Sequence, residues 1–176
     1  MDSGLIEKWI KTGYDAGTLN HRLYFLDIIS KYFPFNSVLD VCSADGADLS
    51  LIGLQYPGVS LTGVDHAIGE PKMQIEGKLY SGVVPEYLGT FPDKTFDITI
   101  SNGGLMYISK DLLPLTAREM IRITKKAIIL SEVDPYSESS PRGYEAIFPR
   151  AVKTKLPPHL RISPWVKDGY IYEIVL

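Results

Sequence analysis

Asp40 and Asp65 are the two residues whose type and spacing first point to chemistry in this chain of 176 residues. Each closes an apolar run, and between them lies the loop Val41-Cys42-Ser43-Ala44-Asp45-Gly46. A carboxylate inside an apolar strand is costly unless something pairs with it, so Asp40 is read as a binding residue. A small-residue loop lets a ligand approach the backbone, and a helix that follows offers free N–H groups. Asp65 falls about 20 residues past the loop, a distance that suits a carboxylate accepting hydrogen bonds from ribose hydroxyls. Gly46 serves a tight turn and close helix–strand packing alike. Ligands in such sheets bind at the carboxyl edge, where Asn102 and His66 also fall. His66 lies beside the ligand or on the surface; both readings stay open. Glu132 and Asp134 bracket a further strand end and either act on a substrate proton or are solvated loop acids. Cys42 is read as a small buried filler, and His21 and His159 as structural.

The elements that must position these residues alternate in the manner of a parallel α/β sheet. Strands are expected at 37–42, 59–65, 78–81, 96–101 and 126–133, with two more at 160–165 and 170–176 around Lys167-Asp168-Gly169. A helix over 46–58 should bury Ala47, Leu51 and Leu54 and stop at Pro57-Gly58. Another over 109–126, capped by Asp111, should bury Leu113, Ala117, Met120, Ile121 and Thr124. The polar segment 134–143 reads as a loop. Trp165, Tyr170 and Tyr172 alternate as a half-buried strand would. Two amphipathic helices, 5–11 and 20–32, precede all this. Residues 1–35 form a helical cap in this reading, and 36–176 the ligand-binding domain.

Composition excludes several classes. The hydrophobic content is 45%, the charged content 22% and the formal charge −3, which describes an ordinary globule without the basic footprint of a nucleic-acid binder. One cysteine allows neither an intrachain disulfide nor a thiolate zinc site, and no metal site is expected. No signal peptide or membrane span is legible, so a cytoplasmic monomer or homodimer is the expectation.

VLDVCSADGADL resembles motif I of the class I S-adenosylmethionine-dependent methyltransferases, in which an acid at the strand end precedes three spaced glycines. LTGVDHA is similar to their second motif, and FPDKTFDITISNGGLMYI to their fourth. The resemblance implies a Rossmann-like fold: a seven-stranded, mostly parallel sheet with an antiparallel pair at its end and helices on both faces. It implies S-adenosylmethionine as cofactor, S-adenosylhomocysteine as product, and contacts from Asp40, Val41, Cys42, Ser43, Ala44, Gly46, Asp65, His66, Val83 and Asn102. Tyr14 would reach the cofactor from the N-terminal cap. His66 and Tyr107 are candidates for the catalytic step; Tyr107 stands where related enzymes often carry histidine and either orients a substrate through its hydroxyl or serves packing.

Departures from the pattern are informative. The first two motif glycines are Cys42 and Ala44, and only Gly46 remains. With a Cβ at each, both are expected at negative φ, where glycine would cost stability through added chain entropy. Val83 replaces an acid that often pairs with the adenine amino group. Lys125-Lys126 replaces the Gly-Gly turn before the fifth strand. IRITKKAIILSEVDP and SPRGYEAIF are similar to compact methyltransferases encoded with sugar-nucleotide and surface-glycan biosynthesis. The function implied is methyl transfer to a small molecule, with a sugar or glycan precursor as one acceptor. The alternative is a degenerate, non-catalytic domain that acts as a partner or regulator. A nicotinamide dehydrogenase would need G-x-G-x-x-G, which CSADGA does not supply.

Overall fold

The computed structural model of the chain describes residues 16–69, 77–133, 143–157, 159–160 and 169–176. Its elements are α1 (Ala16–Ser30), β1 (Ser37–Val41), α2 (Ala47–Gln55), β2 (Ser60–Asp65), β3 (Gly77–Ser81), β4 (Phe96–Asn102), α3 (Leu113–Ile123), β5 (Thr124–Glu132), β6 (Val152–Lys155) and β7 (Tyr170–Val175). Seven strands form one sheet in the order β3-β2-β1-β4-β5-β7-β6. The first five run parallel, and β7 is antiparallel to both β5 and β6. This is the sheet the sequence led us to expect.

The central strands read as continuous apolar runs because both faces are covered. Along β5, Ala127 and Ile129 face α1 and α2, packing with Phe25, Ile29, Leu51 and Ile52. Ile128 and Leu130 point the other way, with Leu113, Ala117 and Met120 of α3. α3 buries Leu113, Thr116, Ala117, Met120 and Ile123, a stripe at helical spacing.

Several local expectations are corrected. Asp111 does not cap α3: the cap position is Leu112 without a side-chain bond, and Pro114 in the first turn sets the helical φ instead. Leu54 is exposed, whereas 47–52 are buried without a break, because α1 covers a second side of α2. The partner of β7 is Val152–Lys155, a short edge strand whose two lysines and single apolar residue hid it from the alternation rule. The expected helix 5–11, and the expected strand 160–165 beyond Leu160, lie outside the described residues. Lys125-Lys126 makes no turn at all. α3 passes straight into β5, and Lys125 Nζ donates to Asp97 Oδ1 at 3.2 Å. Asp97 Oδ2 also accepts from the Asn36 N–H at 2.7 Å. The Phe-Asp pair that opens β4 thus ties β1, β4 and β5 together at their amino ends.

Between β1 and β4 the order of the sheet reverses. Loops leaving these two strands diverge to opposite faces, which opens a crevice at the carboxyl edge. The 41–46 loop and the 102–107 turn face one another there.

Candidate functional site

A cleft of about 580 Å³ lies at this switch point. From the loop after β1 it takes Cys42 and Ala44; from the end of β2, Asp65, His66 and Ala67. Val83 and Val84 follow β3, and beyond β4 come Asn102, Gly103, Gly104, Tyr107, Ile108, Ser109 and Leu112. Of the residues singled out by sequence, Cys42, Ala44, Asp65, His66, Val83, Asn102 and Tyr107 therefore come together. Asp40, Val41, Ser43 and Gly46 are buried and do not line the cleft. Tyr14 and Asp134 lie outside the described residues.

The loop has the shape of a glycine loop without its glycines. Cys42 has φ +64°, Ala44 +47° and Gly46 +72°. The expected negative φ at Cys42 and Ala44 is thus overturned. The cause is backbone hydrogen bonding. The Cys42 and Ser43 N–H groups both donate to the Val64 carbonyl, at 2.8 and 3.2 Å, and the Gly46 N–H donates to the Ser43 carbonyl at 2.8 Å. The Ala44 N–H donates to Asp65 Oδ2 at 2.9 Å. These bonds outweigh left-handed strain of about 1–2 kcal/mol per residue. The sign of a glycine substitution reverses accordingly. Ala44 is exposed, so Ala44→Gly loses little packing and sheds strain that exceeds the added chain entropy, for a gain of about 0.5–1 kcal/mol. A rise of a few degrees in Tm is the expected result; a fall of that size would mean the loop carries no strain.

Asp65 does two structural jobs while facing the cleft. Besides Ala44 it accepts from the Ala67 N–H at Oδ1, 2.9 Å away. His66 Nδ1 lies 3.1 Å from the same oxygen, with the His66 side chain largely exposed. A carboxylate oxygen has two lone pairs, so Oδ2, which accepts from Ala44 alone among these, keeps acceptor capacity.

Beneath the loop lies a buried polar layer. Burial first, and then the Asp48 carboxylate, push the Asp40 carboxyl well above its usual range, with Arg22 opposing. Burial thus favours the protonated form of Asp40, which lessens the cost of a bare charge in β1. Asp48 opens α2, where a negative charge suits the helix terminus. It pairs with Arg22 of α1 and accepts from Asn102 Nδ2 at 3.2 and 3.1 Å. His21 Nε2 meets Ser131 Oγ at 2.7 Å. Burial lowers the His21 pKa to about 4 against the pull of Asp48, so the ring is neutral. α1 is thereby stitched to α2 and β5. Sequence analysis singled out Asp40, His21 and Asn102 but not Arg22, Asp48 or the links among them, because these partners are up to 110 residues apart.

Glu132 neither lines the cleft nor sits in a solvated loop. It is wholly buried at the end of β5. Its Oε1 accepts from Ser101 Oγ at 2.9 Å and from the Gly104 and Leu105 N–H groups at 3.0 Å each. Burial raises its pKa to about 7 against these stabilising bonds. Burial first, and Glu132 next, push the Cys42 thiol up, so Cys42 is a neutral thiol at neutral pH. Among the described residues no group of three His, Cys, Asp or Glu could hold a metal ion, and no helix is long and apolar enough to cross a membrane.

No family model matches the chain, and no curated protein matches it. Solved structures do. A SAM-dependent methyltransferase from Archaeoglobus fulgidus is 14% identical, with a TM-score of 0.68 over 99% of this chain and 100% of its own. The 1,6-didemethyltoxoflavin-N1-methyltransferase of Burkholderia thailandensis, solved with 1,6-didemethyltoxoflavin and S-adenosylhomocysteine bound, is 13% identical, with a TM-score of 0.66 over 98% of this chain and 85% of its own. WbdD, a bifunctional kinase-methyltransferase, is 15% identical at a TM-score of 0.62, and the chain spans only 40% of its length. With the strand order and the antiparallel β7, these likenesses establish that the chain has the class I, Rossmann-like fold of the S-adenosylmethionine-dependent methyltransferases.

Proposed function

We propose that the cleft binds S-adenosylmethionine and that the protein transfers its methyl group to a small-molecule acceptor. The observation that carries this reading is the loop: left-handed torsions persist at Cys42, Ala44 and Gly46 although two of the three residues have a Cβ. Strain at several positions is kept only where surrounding structure imposes it, and such positions cluster at binding sites. The residues present fit the cofactor. The two loop side chains that line the cleft, Cys42 and Ala44, are no larger than cysteine, Asp65 retains acceptor capacity for ribose hydroxyls, and His66 and Val83 offer flanks for a flat base. The cleft volume is in the range of small-molecule sites.

When bound, the cofactor supplies an already activated methyl group, so the protein's share is orientation and exclusion of water. Asn102, fixed by Asp48, and the Gly103-Gly104 turn form the floor on the side of β4. Tyr107, 82% exposed, and Val83, 60% exposed, stand ready to cover an acceptor. Tyr107 or His66 would take a proton where the acceptor must lose one; a nucleophilic acceptor needs no strong base. Residues 1–35 act as the cap, with Tyr14 over the cofactor, a reading supported by the links of His21 to Ser131 of β5 and of Arg22 to Asp48 of α2. A sugar or glycan precursor is the acceptor suggested by the resemblance of the 121–135 and 140–148 segments.

Calorimetry with S-adenosylmethionine and S-adenosylhomocysteine is expected to give dissociation constants in the micromolar range, about −8 kcal/mol of binding free energy. Asp65→Ala should weaken both by about 1.5–3 kcal/mol, the cost of lost hydrogen bonds to a charged acceptor. No heat up to millimolar ligand would favour a non-catalytic partner or regulator domain.

A further inference from the structure

Gly104 sits where β4 passes into the turn Leu105–Tyr107, and it abuts Cys42 across the cleft floor. Its φ of −101° is open to any residue, so its need for glycine is steric. A Cβ at Gly104 would lie 2.3 Å from the Cβ of Cys42; the next neighbours, Ser101 Oγ and the Cys42 carbonyl oxygen, are at 3.2 and 3.3 Å. The obstructing atom is the one Cys42 has because it is not glycine. No rotamer moves a Cβ, so relief would require the backbone to shift.

Neither backbone can shift freely. The Gly104 N–H is held by Glu132 Oε1 together with the Leu105 N–H and the Ser101 hydroxyl. The Cys42 N–H is held by the Val64 carbonyl near the carboxyl end of β2. Two fixed segments therefore meet with room for one Cβ between them.

We propose that Cys42 and Gly104 are a matched pair that sets the width of the cleft at the switch point, with Glu132 as the positioning residue that pins Gly104. The loop carries a side chain where the motif has its first glycine, and the facing turn supplies the missing space. The pair thereby keeps the cofactor loop in its binding shape, and this inference rests on the cofactor reading for its functional readout.

The test compares the parent protein with Cys42→Gly, Gly104→Ala and the double variant, by calorimetry with S-adenosylhomocysteine and by thermal unfolding. Gly104→Ala should weaken binding about tenfold or more and lower Tm, as overpacking at a fixed contact does. The double variant should bind within about threefold of Cys42→Gly, since the pair couples through one contact. Parent-like binding in Gly104→Ala, or a double variant as impaired as Gly104→Ala, overturns the pairing. If Gly104→Ala fails to fold, a folded double variant supports the inference and an unfolded one overturns it. If the parent binds no ligand, the cofactor reading fails, while the pairing still stands or falls on whether Cys42→Gly restores the Tm lost in Gly104→Ala.

Discussion

Glu132→Ala is expected to lower the free energy of unfolding by about 4 kcal/mol at pH 5 and by much less at pH 8. The loss at low pH has a simple origin. Three donors, the Ser101 hydroxyl and the Gly104 and Leu105 N–H groups, converge on Oε1. Removing the carboxyl leaves them buried without an acceptor, at about 1–3 kcal/mol each before relaxation. The pH dependence follows from the raised pKa. In the folded protein it is about 7, against an ordinary value of 4.5. The folded state therefore binds this proton more tightly than the unfolded chain does. That contribution is fully present below about 4.5 and is lost as the pH rises through about 7, because the folded protein must then bury a charge. Alanine has neither the benefit nor the penalty, so the two proteins converge toward alkaline pH. Urea titrations at both pH values measure it. A cost that is equal at the two, or larger at pH 8, would mean that Glu132 is ionised in the folded protein throughout.

The second large effect is on ligand affinity. Ala44→Leu should weaken S-adenosylhomocysteine at least about 100-fold while the protein stays folded. Ala44 is exposed on the cleft wall, so three added carbons enter the cleft and not the core. The loop cannot retreat to make room, because the Ala44 N–H is tied to Asp65 and the Cys42 and Ser43 N–H groups to the Val64 carbonyl. A bulkier residue at φ +47° adds strain, and the stability cost should stay near 1 kcal/mol. Titration of the variant, with circular dichroism to check the fold, decides it. Unchanged affinity would show that the ligand does not lie over this loop, and the methyltransferase reading would lose its physical basis.

Much of the frame was legible because it rests on local pattern. β1, β2, β4 and β5 are apolar runs with a polar residue at the ligand end, and burial on both faces is the reason they read so plainly. β6 escaped because an edge strand needs no core-facing alternation. The site divided along the same line. Asp65, Cys42, Ala44 and Asn102 were found from strand ends, which the sheet alone brings together. Glu132 stands at a strand end too, but sequence could not say that it folds back under the β4 turn instead of facing substrate. Gly103 and Gly104 were in view as part of a motif; what Gly104 does depends on a contact with Cys42, 62 residues away in the chain. The φ values at Cys42 and Ala44 were misjudged because residue type was weighed without the bonds that hold the loop.

Those φ values also separate the path of the loop from the residue types that usually follow such a path. Descriptions of a motif as letters record which residue is frequent at each position, and glycine is frequent where the backbone must go left-handed. Cys42 and Ala44 are mismatches in that alphabet. Written in torsions, the loop from Cys42 to Gly46 is left-handed at its first, third and fifth residues. In this chain the path is held by the bonds to Val64 and Asp65, and the residue types along it are free to be other than glycine.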